Sequence, residues 1–209
     1  MKNPLPILLA LTLVTGFIDA LAFIGYDHVF ISNMSGNTVL LGIALVSNLH
    51  VAGLSSSPWG YVVSIASFAV GVGGGFLILR DGATPGRSAA IVGCEALLAL
   101  AAFSARGHAG LSIVPLAIGA GAQSMLALRL GLPGISTAYV TGTIVKTVSL
   151  ALSERGQGKG RQSIHSAGSW VAYCGGAALG AVGWLGLREM ALLPAAGAFA
   201  LLAFFAGRR

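Results

Sequence analysis

Charge is scarce in this chain. Asp, Glu, Lys and Arg together make up 9% of 209 residues, against about 25% in soluble globular domains. A soluble fold of this size could not cover itself with polar surface from such a sequence. Cysteine is almost missing as well. Cys94 and Cys174 stand alone inside apolar runs, read as two buried free thiols that say nothing of redox compartment. The net charge of +6 gathers into no basic face, which argues against nucleic acid as a partner. His28, His50, His108 and His165 are too far apart to follow a metal-ligand spacing. No nucleophile–base constellation marks a hydrolase. Gly71-Val72-Gly73-Gly74-Gly75 imitates a phosphate loop, yet no strand precedes it and no Lys-Ser or Lys-Thr follows. Neither an enzyme nor a cofactor is expected.

What the chain does have is apolar length. Hydrophobic residues are 56% of it and mean hydropathy is +0.86. Glycine, at 31 residues, is about twice its usual frequency of roughly 7% and lies mostly inside the apolar runs. Such segments suit helices that pack closely in lipid. Runs at about 5–25, 29–47, 60–80, 88–105, 110–129, 135–152, 167–187 and 190–207 predict an all-α bundle of about eight transmembrane spans, with six to eight allowed. The second and sixth runs begin with polar residues and are the two that broken or re-entrant backbone would suit. Ala20-Leu21-Ala22 after an apolar stretch imitates a signal-peptide cleavage site, but the first run is long enough to span and has an internal counterpart.

The chain reads as two duplicated halves, 1–104 and 105–209. Adding 106 carries Gly25, Val29, Ser35 and Gly36 onto Gly131, Ile135, Thr141 and Gly142; adding 102 carries Ser64, Ser67, Gly73 and Gly74 onto Ser166, Ser169, Gly175 and Gly176. Four spans per half would make the copies parallel, and three would invert them. The run count favours four. On that arrangement seven cations fall with the termini and four opposite, so both termini are expected in the cytoplasm of an inner membrane.

Two polar patches interrupt the apolar pattern. Phe30 to Gly42 holds Asn33, Ser35, Gly36 and Asn37; a weaker copy holds Thr141, Gly142 and Thr143, with Lys146 one turn beyond. Asp19 lies about six residues before the turn near Gly25–His28, and Asn33 to Asn37 lie about five to nine residues after it. At 1.5 Å per residue both sets sit roughly 10 Å below one membrane face. A carboxylate there costs about 2.5–3.5 kcal/mol, so Asp19 is expected to face the donors of the Asn33–Asn37 patch. Thr12, Thr15, Gly16, Asp19 and Phe23 share one helix stripe. In the second half Gln123 and Ser124 are expected to meet Thr137, Thr141 and Thr143, with no carboxylate. Gly36 and Gly142 suit either an unwound helix or a helix contact. Glu95 and Lys146 fall near the middle of their runs and read as a mutual salt bridge, with attraction of an anionic solute by Lys146 as the alternative. Isolated Ser and Gly read as close packing, where an interhelical hydrogen bond contributes about 0.6 kcal/mol.

Thr15-Gly16-Phe17-Ile18-Asp19-Ala20, the Asn33-Met34-Ser35-Gly36-Asn37 core, Gly121-Ala122-Gln123-Ser124 and Val140-Thr141-Gly142-Thr143 resemble the YoaK-type family of bacterial inner-membrane proteins. The likeness covers essentially the whole chain. The family is a domain of unknown function described as small-molecule permeases, so the resemblance implies a polytopic membrane protein without assigned catalysis. Gly16, Asp19, Asn33, Gly36, Asn37, Gln123, Thr141, Gly142 and Thr143 match its motif positions; Ser35 and Ser124 depart from it. The expectation is therefore a permease for a small polar solute, with lipid as its surroundings, self-association left open, and ion or proton coupling through Asp19. A structural or accessory subunit is the alternative, ahead of a membrane-embedded enzyme.

Overall fold

The structure is a computed structural model that describes residues 4–46, 58–130, 145, 148–149 and 159–208. Seven α-helices run through these residues: α1 (Leu5–Gly25), α2 (Met34–Val46), α3 (Pro58–Ile78), α4 (Pro85–Ser104), α5 (Ala109–Leu130), α6 (Lys159–Leu187) and α7 (Leu192–Gly207). A short 3-10 turn, Arg188–Ala191, separates the last two. Seven of the eight expected runs coincide with these helices; the sixth, 135–152, falls largely outside the described residues.

Among the described residues, five stretches are long and apolar enough to cross a membrane: Leu5–Gly25, Pro58–Ile78, Pro85–Ser104, Ala109–Leu130 and Ile164–Gly207. The last holds 44 residues, roughly twice what one crossing needs. Arg188 breaks it with a left-handed backbone (φ 53°). The second expected run yields only the 13 residues of α2, because the chain before Met34 is not helical.

The bundle is arranged for lipid. Leu97, Leu128 and Leu185 are about 70–80% exposed on its outside (68%, 72% and 81%), while Thr12, Asp19, Asn37, Ser64, Glu95 and Gln123 are buried. Cys94 and Cys174, expected to be buried, are exposed on this apolar exterior. A thiol behaves as a small apolar group there, so lipid-facing sites suit it as well as the core.

Glycine sets the helix contacts. On α6, a Cβ at Gly176 would run into the carbonyl of Leu13, and one at Gly180 into that of Phe17. A Cβ at Gly16 would strike the Tyr173 carbonyl. On α3, Gly71 meets the Ile118 carbonyl and Gly75 the backbone of Ala122, while Gly121 meets the Phe68 carbonyl. Backbones this close need glycine on one side of the contact. The two crossings correspond through an offset of 105: Leu13, Gly16, Phe17, Phe68, Gly71 and Gly75 map onto Ile118, Gly121, Ala122, Tyr173, Gly176 and Gly180. That offset lies between the 102 and 106 read from the sequence.

The same contacts give helix directions. Residue numbers rise together in α1 against α6 and in α3 against α5, so those pairs are parallel. Numbers oppose in α4 against α5, where Gly119 faces Glu95 and Ser112 Oγ donates to the Ala102 carbonyl (3.1 Å). They oppose again in α4 against α7, where Gly93 faces Ala203 and Gly207 faces Ala89. Val29 lies against Gly60, which sets the start of α3 beside the end of α1. Trp184 packs on Gly25 and Tyr26, and the Gly107 N–H donates to Glu189 Oε1 (3.3 Å). The end of α1, the start of α3 and the turns at 105–108 and 188–191 therefore share one end of the bundle. Helices α1, α4 and α6 run one way, and α3, α5 and α7 run the other.

A large side chain at a crossing glycine is expected to separate two backbones. Gly71→Leu should cost at least the ~1–3 kcal/mol of an overpacked core and lower the melting temperature of the detergent-solubilised protein. Gly73→Leu, at a position open to the exterior, should leave it unchanged; equal melting of the two variants would contradict the close contact.

Candidate functional site

The site begins where α1 stops. Asp27 and His28 take left-handed conformations (φ 51° and 58°), which turn the chain back toward the bundle. Phe23 stacks on Phe30 with ring centroids 4.6 Å apart, and Val29, Ile31 and Ser32 are buried. Residues 26–33 thus carry non-helical backbone to the level of Asp19, about 9 Å below the end of α1 at 1.5 Å per residue. Away from water, each of their amides and carbonyls needs a partner from the protein.

Asp19 provides two of those partners. Its Oδ1 accepts from the N–H groups of Ile31 (2.6 Å) and Ser32 (2.8 Å). Its Oδ2 accepts from Ser32 Oγ (2.5 Å) and from the phenol of Tyr173 on α6 (2.5 Å). A carboxylate offers about four lone-pair sites, and this one uses four. At 2% exposure, Asp19 has exchanged hydration for a complete set of protein donors.

Asn37 provides the next pair. Its Oδ1 accepts from the Phe30 N–H (2.9 Å) and its Nδ2 donates to the Phe30 carbonyl (2.7 Å). Ser64 Oγ on α3 donates to the same carbonyl (2.8 Å) and accepts from Asn37 Nδ2 (3.1 Å). Asn33 does a third job. Its Oδ1 accepts from the Gly36 N–H (3.2 Å) and Ser35 Oγ (2.9 Å), capping the start of α2 in the manner of a short polar N-cap residue. Ser35 is exposed. Gly36 is helical, and a Cβ there would press within 3.1 Å of the Phe30 ring and the Asn33 amide. The tight neighbours of that glycine belong to the loop, not to a crossing helix.

The expected pairing of Asp19 with Asn33 and Asn37 is thereby corrected. The patch does surround the acid, but its asparagines bind the loop's own backbone, and the donors to Asp19 are Ile31, Ser32 and Tyr173. Ser32 and Tyr173 were not singled out in the sequence. A phenol within the small-residue run Ala172-Tyr173-Cys174-Gly175-Gly176 was the available signal, since a tyrosine hydroxyl inside a bundle has to find a partner.

A second polar group lies between α1, α4 and α5. The Gln123 carboxamide sits 2.7 Å from Thr15 Oγ1 on one side and 2.9 and 3.2 Å from the Glu95 carboxyl oxygens on the other. Thr15 Oγ1 is also 2.8 Å from the Leu11 carbonyl, and Thr12 Oγ1 donates to that of Leu8 (2.8 Å). Gln123 therefore faces residues of the first half. Ser124 Oγ donates to Ala120 O in its own helix (2.8 Å). Their expected partners Thr137, Thr141 and Thr143 lie outside the described residues, as do Gly142 and Lys146, the expected partner of Glu95. Thr15, Glu95, Gly119 and Gln123 border a cavity of about 20 Å³, enough for one water molecule.

Against known proteins, the family model described as "Protein of unknown function (DUF1275)" matches residues 7–205. UPF0700 transmembrane protein YoaK of Bacillus subtilis (strain 168) is 29% identical over 189 residues, covering 84% of this chain and 81% of the relative. No solved structure matches. The match spans both polar groups, the broken hairpin and all seven described helices, and on that basis the chain belongs to the DUF1275 family of multi-pass membrane proteins.

Proposed function

We propose that the chain is a permease for a small polar solute, built from two inverted halves of three membrane crossings each. The observation that carries this reading is the non-helical segment 26–33, whose Tyr26, Val29, Ile31 and Ser32 are buried. Irregular backbone survives at membrane depth only where protein or a water-filled cavity receives it, and broken segments of this kind form the binding sites of many transporters. Lone packing helices need no such segment.

Helix directions favour six crossings over the eight expected from hydropathy. The end of α1 and the start of α3 share one end of the bundle, so α2 lies in an excursion that enters and leaves on that side. Helices α1, α3 and α4 are then the crossings of 1–104, and α5, α6 and α7 those of 105–209. Three is odd, which inverts the halves, as the opposed directions of α1 and α5 require. The positive-inside rule supports the same count. With six crossings, Lys2, Arg80, Arg87, Arg129, Arg155, Lys159, Arg161, Arg208 and Arg209 fall toward the termini, and Arg106 and Arg188 fall opposite. Nine against two is a sharper bias than the seven against four of eight spans. Both termini are cytoplasmic on this reading, in a bacterial inner membrane.

In this scheme the Tyr173–Asp19 hydrogen bond is a latch between halves, since α6 belongs to the second and Asp19 and Ser32 to the first. Rocking of one half against the other parts them and opens the hairpin to solute. A proton taken up by Asp19 would occupy one of its acceptor sites and release a donor, which couples proton movement to opening. Asn33, Ser35, Gly36 and Asn37 keep the hairpin in shape, and the Thr141–Thr143 segment and Lys146 are its counterparts in the second half.

Single-cysteine labelling decides the topology. On a background lacking Cys94 and Cys174, cysteines at Gly82 and Gly107 should react from the cytoplasmic and outer sides respectively; eight spans reverse both. For the activity, a thermal-shift screen of polar metabolites identifies a solute, because a ligand at 100 times its Kd adds about 2.7 kcal/mol to the native state. Uptake of that solute into proteoliposomes should be lost in Asp19→Asn, which still folds, and reduced in Tyr173→Phe. Wild-type uptake by Asp19→Asn, or stable co-purification with a partner and tolerance of both changes, would favour an accessory subunit instead.

A further inference from the structure

Glu95 has no role in the Asp19 latch, yet it is buried at 3% exposure near the middle of α4. Its hydrogen-bond partner is the Gln123 amide. That amide can be seated in two ways on the same heavy-atom positions, because its oxygen and nitrogen are nearly isosteric. With the nitrogen toward Glu95, it donates to the carboxylate at 2.9 and 3.2 Å, and the amide oxygen accepts from the Thr15 hydroxyl. With the nitrogen toward Thr15, it donates to Oγ1 at 2.7 Å, and Thr15 donates onward to the Leu11 carbonyl at 2.8 Å. The amide oxygen then faces Glu95, and two acceptors would oppose each other unless the carboxyl carries a proton.

We propose that Glu95 is a proton-binding site whose occupancy is read by the orientation of the Gln123 amide. In the bound form a hydronium ion gives its proton to a Glu95 oxygen and leaves as water; the new O–H donates to the Gln123 oxygen. Release reverses both steps. The adjoining cavity has room for a water molecule beside the carboxyl, which is what delivery of a proton needs. Neighbouring ionisable groups are few. Helix α5 has none before Arg129 at its far end, α7 none before Arg208, and α3 only Tyr61. Helix α1 has Asp19, one turn from Thr15 and engaged with Ile31, Ser32 and Tyr173. The chain Glu95–Gln123–Thr15 joins α4, α5 and α1, so a proton there sets a hydrogen-bond pattern shared by three helices. This holds independently of the permease reading.

The test is an infrared titration of the full-length protein in liposomes, with the proton as probe. Wild type should show a protonated-carboxyl C=O band that titrates, vanishes in Glu95→Gln and persists in Asp19→Asn. Gln123→Met should shift the band, through loss of its hydrogen bond. The proposal is overturned if Glu95→Gln removes none of the titrating C=O bands of the wild type (a band lost only in Asp19→Asn belongs to Asp19), or if no band titrates at any pH, as a fixed ion pair with Lys146 would give. Glu95→Gln is nearly isosteric with the protonated acid and should fold; should it not, the Gln123→Met shift decides alone, and an unmoved band counts against the site.

Discussion

A buried acid and a stretch of buried loop backbone satisfy each other here, and the rest of the arrangement follows from that exchange. Asp19 alone in the bundle would cost several kcal/mol of lost hydration. Residues 30–32 alone would leave three amide donors without water. Together, the Ile31 and Ser32 amides fill one carboxyl oxygen, and Asn37 closes Phe30 on both its N–H and C=O groups. The exchange ties α1, α2 and α3 at one depth, with Ser64 as the contribution of α3. Tyr173 brings in α6, so the same acid also joins the two halves of the chain.

The halves are interlocked more than juxtaposed. Helix α1 packs most closely on α6 and α3 on α5, each through glycines that admit a backbone carbonyl. Among the described residues, each of these glycine crossings unites a helix of 1–104 with one of 105–209. On the proposed reading, a relative movement of the halves slides glycine surfaces along backbone, with little side-chain interdigitation to undo. That is compatible with the rocking that inverted-repeat transporters use. It also explains why the glycines lie within helices, where their intrinsic propensity is poor.

Much of this is legible in the sequence. Apolar runs located the helices, and the arithmetic from Asp19 to the turn and back placed acid and polar patch at one depth. Side-chain partners were not legible, since Asn33 and Asn37 look like donors to a carboxylate until the loop's own backbone requirement is counted. Tyr173 was hidden because it approaches from the other half, 154 residues away. Hydropathy reads 29–47 as one apolar run and is blind to the non-helical backbone before Met34, which leaves α2 only 13 residues. The sequence shows the charge of Glu95 but not its amide partner, which depends on the antiparallel pairing of α4 and α5.

Amide hydrogen exchange at Ile31 and Ser32 tests the central exchange most directly. In the wild type both amides should be protected far beyond what an irregular segment gives, and Asp19→Ala should release them while the α5 amides stay protected. Equal exchange at Ile31 and Ser32 in wild type and Asp19→Ala would contradict the account, since the acid would then not be what holds the loop inside the bundle.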